Sequence, residues 1–314
     1  MPRRLRLVFL GTPPFAVPTL EAVVEAGHRV AAVVTQPDRP RGRGQQLAPP
    51  PVKEAALRLG LAVYQPERVR HAEALEFLRA QAAEAMVVVG YGQIIPQAAI
   101  DLAPLGIINV HASLLPKYRG AGPIQWAILN GETRTGVTTM RIDAGLDTGA
   151  MLLKAETAIA PDEDAPSLGG RLAAMGARLL VETLDALAEG SVVSEAQDST
   201  QATYAPMLKK ESGRIDWTRP AAAIHNQVRG LQPSPGAYTA LRGQTLHVRR
   251  SRVAEAGGAR PGAVVRVKPL VVACGEGALE LIEVQSEGRK RVSAADFANG
   301  QRLMENEVLG DIPA

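Results

Sequence analysis

Among the 314 residues there is one cysteine, Cys274. A lone thiol excludes a disulfide framework within the chain and any cysteine-based metal site. In the run LVVACGEG it reads as a small core residue. Long apolar runs are also missing, and none approaches the roughly 20 residues of a membrane-spanning helix. The N-terminus MPRRLRLVFLG is basic and then apolar, but VFLG before a turn is too short for the apolar region of a signal peptide. The expectation is a cytoplasmic protein with no membrane partner. Several chemical signatures are absent. There is no G-x-G-x-x-G and no G-x-x-x-x-G-K-[ST], which argues against NAD, FAD and Walker-type ATP binding. There is no H-E-x-x-H or other zinc pattern, and no G-x-S-x-G of a serine hydrolase. His28, His71 and His225 have no partners at metal spacing and read as surface or satisfied residues. The expected metal complement is none. No internal repeat and no low-complexity tract occurs.

What is present fits a soluble globular chain, with 46% apolar and 21% charged residues and length enough for two modest domains. The net charge of +3 is unevenly placed: residues 1–200 carry 19 Lys+Arg against 21 Asp+Glu, and residues 201–314 carry 16 against 11. A basic C-terminal third suits an anionic partner such as a phosphate backbone, or a solubilising surface.

Short buried-type strands alternate with helical patterns over the first two-thirds. LRLVFLG (5–11), HRVAAVVTQ, LAVYQ, AEAMVVVGYG and GIINVH read as strands. PFAVPTLEAVVEAG, VKEAALRLG and HAEALEFLRAQ read as helices, the first two closed by Gly27 and Gly60. Strands without alternation, separated by helices, imply a mostly parallel sheet covered on both faces. This is a doubly wound, Rossmann-like α/β domain, whose ligands belong at the carboxyl ends of its strands. Gly11-Thr12-Pro13-Pro14 follows the first strand and reads as a tight turn capping the first helix. TGVTTMRID and AMLLKAETA read as paired strands joined by DAGLDTG. APSLGGRLAAMGARLLVETLDALAEG reads as a long helix with Leu172, Met175, Leu179, Leu184 and Leu187 as its core stripe. The polar stretch after Gly190 reads as a linker. The helix AAAIHNQVRGL and several short runs with Gly-rich turns then predict a small antiparallel, OB-like β-barrel. The expected division is 1–190 as catalytic domain, 191–207 as linker and 208–314 as barrel.

The main chemical signal is INVHASLLPKYRGAGP (108–123). Asn109 and His111 stand two apart at the carboxyl end of a strand, followed by the Pro-containing turn Leu114-Leu115-Pro116. Those three residues suit one wall of an apolar slot for a flat ligand. DAGLDTGA supplies two carboxylates. Asp147 sits in a tight turn able to project it inward, whereas Asp143 suits ordering of the same loop. An amide or imidazolium can hold an oxyanion, and a carboxylate can hold the imidazole and manage a proton. The stretch TQPDRPRGRGQQLAPPPVK (35–53) is roughly three times the usual βα-loop length. It carries Arg39, Arg41, Arg43 and Lys53 against Asp38. It reads either as a disordered surface insertion or as a basic finger that orders on a nucleic-acid backbone.

INVHASLLPKYRGAGPIQWAI with GLDTG resembles the formyltransferases that use 10-formyltetrahydrofolate. The resemblance implies that Asn109, His111 and Asp147 are the catalytic set, and that Ser113, Leu114, Leu115 and Pro116 line the folate site. FLGTPPFAVPTLEA, TQPDRPRGRG, PVK, MVVVGYGQIIP and RIDW narrow the resemblance to the methionyl-tRNA formyltransferases, over nearly the full chain. This implies a monomer that formylates the methionine amine of initiator methionyl-tRNA from 10-formyltetrahydrofolate. The loop would enter the tRNA acceptor arm through Arg41 and Arg43. Lys209 and Lys210 would belong to a basic linker ahead of a tRNA-holding barrel. Gln45 and Gln46 stand where some relatives have lysine, which puts more weight on the two arginines. The alternatives are a formyltransferase acting on an amino-sugar nucleotide, against which the arginine loop argues, and a non-catalytic RNA- or nucleotide-binding module, which would not need the Asn-His-Asp set.

Overall fold

The apolar run Arg6–Gly11 forms β1 in a computed structural model that describes residues 3–41, 46–255 and 258–310. In chain order there follow α1 (Val17–Glu25), β2 (Arg29–Val34), β3 (Arg39–Arg41), β4 (Gln46–Ala48), α2 (Pro51–Arg58), β5 (Val63–Tyr64) and α3 (Ala72–Ala80). Next come β6 (Ala85–Val89), α4 (Gln97–Ile100), β7 (Ile107–His111), α5 (Pro123–Leu129), β8 (Arg134–Arg141), β9 (Met151–Ala158) and α6 (Ala165–Glu189). The chain divides into two compact units, the first made of residues 1–120, 135–157 and 169–204, the second of 121–134, 158–168 and 205–314.

The first unit is built on a seven-stranded sheet of order β5-β2-β1-β6-β7-β8-β9. Its first five strands pair in parallel, and β8 joins β7 antiparallel, so the sheet is mostly parallel with a reversed edge region. β6 is buried at every position, because helices cover both faces and no alternation is required. The order reverses between β1 and β6, so the loops after these strands diverge and open a crevice at their carboxyl ends. The helix α6 covers the sheet face on which Val110 lies. A Cβ added at Gly176 would come 2.7 Å from Val110 Cγ1, so the two elements touch there without room for a side chain. Thr183 of this helix also shares a 2.8 Å hydrogen bond with Thr139 of β8. Of the expected stripe, Leu172, Leu179, Leu184 and Leu187 are buried, whereas Met175 is half-buried.

Two of the segments where the structure differs from the sequence reading lie in the first unit. Residues 39–48, expected as an irregular loop, include an antiparallel ribbon of β3 and β4 in which Arg41 pairs with Gln46. Strands of three residues containing proline and arginine carry no periodic signal, which is why they read as loop. Arg43 and Gln45 lie outside the described residues. At the root of the ribbon, Lys53 donates to both oxygens of Asp38 at 2.9 and 2.7 Å, and Gln65 donates to the same carboxylate at 2.7 Å. These contacts, Gln65 first, lower the Asp38 pKa. The second difference is the start of the stretch read as linker. Residues 191–204 pack with the first unit, and Glu195 exchanges two 2.8 Å backbone hydrogen bonds with Met151.

The second unit adds α7 (Ala221–Gly230), β10 (Ala237–Leu241), β11 (Gln244–Ala254), β12 (Val264–Arg266), β13 (Val271–Ala273), β14 (Ala278–Ser286), β15 (Val292–Ser293) and α8 (Ala294–Gln301). The strands form an antiparallel sheet of order β10-β11-β14-β13-β12, with β15 also on β14. Its core gathers Ile224 and Val228 of α7, Val248, Val272, Leu279 and Leu281 of the sheet, and Phe297 of α8. Cys274 is buried in the same core, where desolvation pushes its thiol pKa up to about 11. No helix among the described residues is long and apolar enough to cross a membrane.

Three histidines, His28, His225 and His247, are held below their ordinary pKa of 6.5, in each case first by desolvation. The neutral His28 Nδ1 accepts from the Leu5 amide at 3.2 Å. The unfolded chain therefore binds protons more readily than the folded one below pH 6.5. The stability from these neutral rings is fully present above that pH and is lost as pH falls towards their lower folded values. Urea midpoints measured from about pH 7.5 down to about pH 5.5 should decline, and the decline should shrink when His28 is replaced by Asn.

Candidate active site

Strand pleating decides which side chains reach the site. Successive residues of β7 point to opposite faces, so Asn109 and His111 share the face opposite Val110. On β8 the partner of Asn109 is Met140 and that of His111 is Thr138. Met140 packs with Leu115 and Met151 in a small buried cluster. Thr138 is fully buried; its hydroxyl donates to Ser113 O at 2.7 Å and accepts from the Leu115 amide at 3.1 Å. One hydroxyl thus pins both ends of the turn that follows His111. The Leu115–Pro116 peptide bond in this turn is cis. Ser113 is buried and donates to Lys117 O at 2.6 Å, while Leu114 and Pro116 are half-buried.

His111 is 6% exposed. Its Nε2 lies 2.9 Å from the Tyr118 carbonyl, and since a carbonyl only accepts, that nitrogen carries a proton. The other nitrogen, Nδ1, faces Asp147 Oδ2 at 3.7 Å. Asp147 has φ of +52°, the left-handed region that aspartate tolerates better than most residues. Its Oδ2 accepts from the Gly120 amide at 2.8 Å. Asn109 is half-buried, and its side-chain amide has no hydrogen-bond partner among the described residues. An imidazole facing a carboxylate thus stands at the carboxyl end of β7, with an uncommitted amide two residues earlier on the same strand face. Asp143 is turned to its own loop, accepting from Gly145 N at 3.0 Å and Thr148 Oγ1 at 2.7 Å.

The sequence reading missed the groups that hold this arrangement. Gln197 donates to Asp147 O and Gly149 O, both at 2.8 Å, and accepts from Arg119 Nε and Nη2 at 3.0 and 2.8 Å. Arg119 is only 3% exposed. Thr203 accepts from the amides of Tyr118 and Arg119, through its hydroxyl and its carbonyl respectively. At Gly149 an added Cβ would stand 1.9 Å from Arg141 O, so the loop closes directly on the end of β8. Next to β1, Thr12 Oγ1 and Gln36 Nε2 both donate to Tyr91 O, at 2.9 and 3.2 Å, and tie the strand-end loops together. Tyr91 is buried, and its hydroxyl pKa is raised to about 12 by desolvation first. The expected tRNA residues lie elsewhere. Arg41 is in β3 by its backbone, and Lys209 and Lys210 are exposed at the start of a short 3-10 turn in the second unit.

A doubly wound sheet with this set at a strand end matches a known class. Residues 5–184 match the formyl transferase family and residues 207–302 match the formyl transferase C-terminal domain, so the chain belongs to the formyl transferase family. It is 73% identical over 308 residues to the methionyl-tRNA formyltransferase of Solibacter usitatus, covering 98% of this chain and 99% of that protein. It is 53% identical over 306 residues to the methionyl-tRNA formyltransferase of Trichlorobacter lovleyi, covering 97% and 96%. Among solved structures, HypX from Aquifex aeolicus in complex with tetrahydrofolic acid shares the fold, with TM-score 0.66 and 15% identity, over 94% of this chain and 47% of that chain.

The buried Thr138 hydroxyl gives a direct test of this construction. Thr138→Val keeps the shape but leaves the Leu115 amide and the Ser113 carbonyl without their partner. A loss of about 1–3 kcal/mol in urea unfolding is expected, together with reduced turnover.

Proposed function

We propose that this protein transfers the formyl group of 10-formyltetrahydrofolate to the α-amino group of methionine on initiator methionyl-tRNA. The observation that carries this reading is the 73% identity, along nearly the whole of both chains, to a methionyl-tRNA formyltransferase. The geometry at the end of β7 supports it. The residues present suit such a donor, since the Asn109 amide is uncommitted and Leu114 and Pro116 of the turn after β7 are half-buried. When bound, the folate supplies the activated one-carbon unit.

On this reading Asn109 and a protonated His111 hold the negative charge that builds on the formyl oxygen as the amine attacks, each contributing about 3 kcal/mol. With Nε2 engaged by the Tyr118 carbonyl, the His111 nitrogen available for this is Nδ1. Asp147 takes the proton from the attacking amine, directly or through water. As the oxyanion collapses the bond from the formyl carbon to N10 breaks, and tetrahydrofolate leaves with N10 taking up the proton that Asp147 had accepted. Ser113 and Leu115 keep the folate-facing turn in place from beneath, while Leu114 and Pro116 offer the apolar wall. Arg41 of the ribbon and Arg43, with Lys209 and Lys210, engage the tRNA backbone, and the C-terminal region holds the tRNA. The protein works as a monomer in the cytoplasm.

Formyl transfer from 10-formyltetrahydrofolate, with methionyl-initiator tRNA and an amino-sugar nucleotide offered together, tests the acceptor. Product on the tRNA alone is expected; product on the sugar alone would overturn the assignment. In His111→Ala and in Asn109→Ala, kcat should fall about 100-fold or more with tRNA affinity little changed. Near-wild-type turnover in either would remove that residue from the mechanism. An Arg41→Ala/Arg43→Ala double variant should raise KM for tRNA and flatten its salt dependence, with folate binding intact. Unaltered tRNA kinetics would refute the ribbon's role.

A further inference from the structure

We infer that Gln197 is a positioning residue for the transfer reaction, acting through Asp147; this rests on the catalytic role proposed for Asp147. The observation is a closed ring of contacts. The carboxylate of Asp147 accepts from the Gly120 amide at 2.8 Å. Gly120 follows Arg119 in the chain, and the Arg119 guanidinium binds Gln197 Oε1 through Nε and Nη2. Gln197 Nε2 then returns to the carbonyls of Asp147 and Gly149, each at 2.8 Å. The two ends of Asp147, carboxylate and carbonyl, are therefore gripped by one assembly.

The chemistry of position 197 is specific. Facing a buried guanidinium, a carboxylate would be the stronger partner. An amide stands there instead, and the reason lies on its other side, where two carbonyl oxygens need a donor. Only a side chain that accepts at one end and donates twice at the other satisfies all of these groups. What it holds is Asp147 at φ of +52°, a conformation that persists only when its surroundings enforce it. Released from the ring, Asp147 is free to relax, and its carboxylate leaves the place where it faces His111 Nδ1. A displacement of about 1 Å in a reacting group can cost about 100-fold in rate. Gln197 lies in a stretch with little periodicity, 50 residues beyond Asp147, so nothing in its own segment marks it.

The test is a double-mutant cycle on kcat, read by single-turnover transfer to methionyl-tRNA so that slow variants stay measurable. Gln197→Ala should lower kcat about 10- to 100-fold with KM for both substrates within about 3-fold. Introduced on top of Asp147→Asn, the same change should cost less than about 3-fold, because the residue it positions is already disabled. Equal losses in both backgrounds, or a loss in KM alone, would overturn the inference. Near-wild-type kcat in Asp147→Asn by itself would instead overturn the role of Asp147, and with it the inference. If Gln197→Ala fails to fold, Gln197→Glu serves. It keeps the bulk and the acceptor for Arg119 but sets an oxygen against two carbonyls, so the same non-additive loss in kcat is expected and wild-type kcat would refute it.

Discussion

The pleat of β7 sends Ile108 and Val110 to one face of the sheet and Asn109 and His111 to the other, and the packing of that strand makes the division permanent. On the apolar side α6 comes close enough at Gly176 that Val110 leaves no space for a methyl group. A one-residue slip of β7 would bury the amide and imidazole under that helix and bring two aliphatic side chains to the crevice. The chemistry at the strand end is thus secured by the hydrophobic effect on the opposite face. The antiparallel neighbour β8 completes the arrangement, because its register puts Thr138 beside His111 and Met140 beside Asn109. The first supplies the hydroxyl that pins the following turn, and the second supplies the apolar floor under it.

Much of this was legible from the residues. Unalternated apolar runs separated by helical patterns identify a mostly parallel sheet, and a strand's final residues in such a sheet face the crevice. Asn109 and His111 could be placed on one face by their spacing of two, and Asp147 by the turn residues around it. The supports were not legible. Thr138 looks like any β-branched residue in a strand, and its role arises from register, which depends on packing between distant segments. Gln197 is a polar residue in a polar stretch, and its value lies entirely in geometry supplied by Arg119 and the Asp147 turn. The ribbon of β3 and β4 escaped notice because three-residue strands carry no period. In the second unit β10 and α8 went unread, as did the two-residue β15, though the antiparallel class was evident from closely spaced glycines.

Charge is distributed with the same division of labour. Lys53 is one of four cations in the 35–53 stretch, yet its ammonium is committed to Asp38 at the ribbon's root, with Gln65 completing the contact. That group therefore shapes the ribbon and adds little to its field. Within the first unit, the buried Arg119 likewise serves geometry, since both of its contacts to Gln197 meet a neutral amide oxygen.

Gly149 carries an evolutionary consequence. With a Cβ there set 1.9 Å from the Arg141 carbonyl, no other amino acid fits without prising the loop from β8. Mutational drift is therefore closed off at the base of the loop that bears Asp147, and the loop can be inherited only as a unit. Substitutions accumulate more readily where side chains meet solvent, as at the exposed positions of the ribbon and of the second unit. The base of the Asp147 loop has no such room.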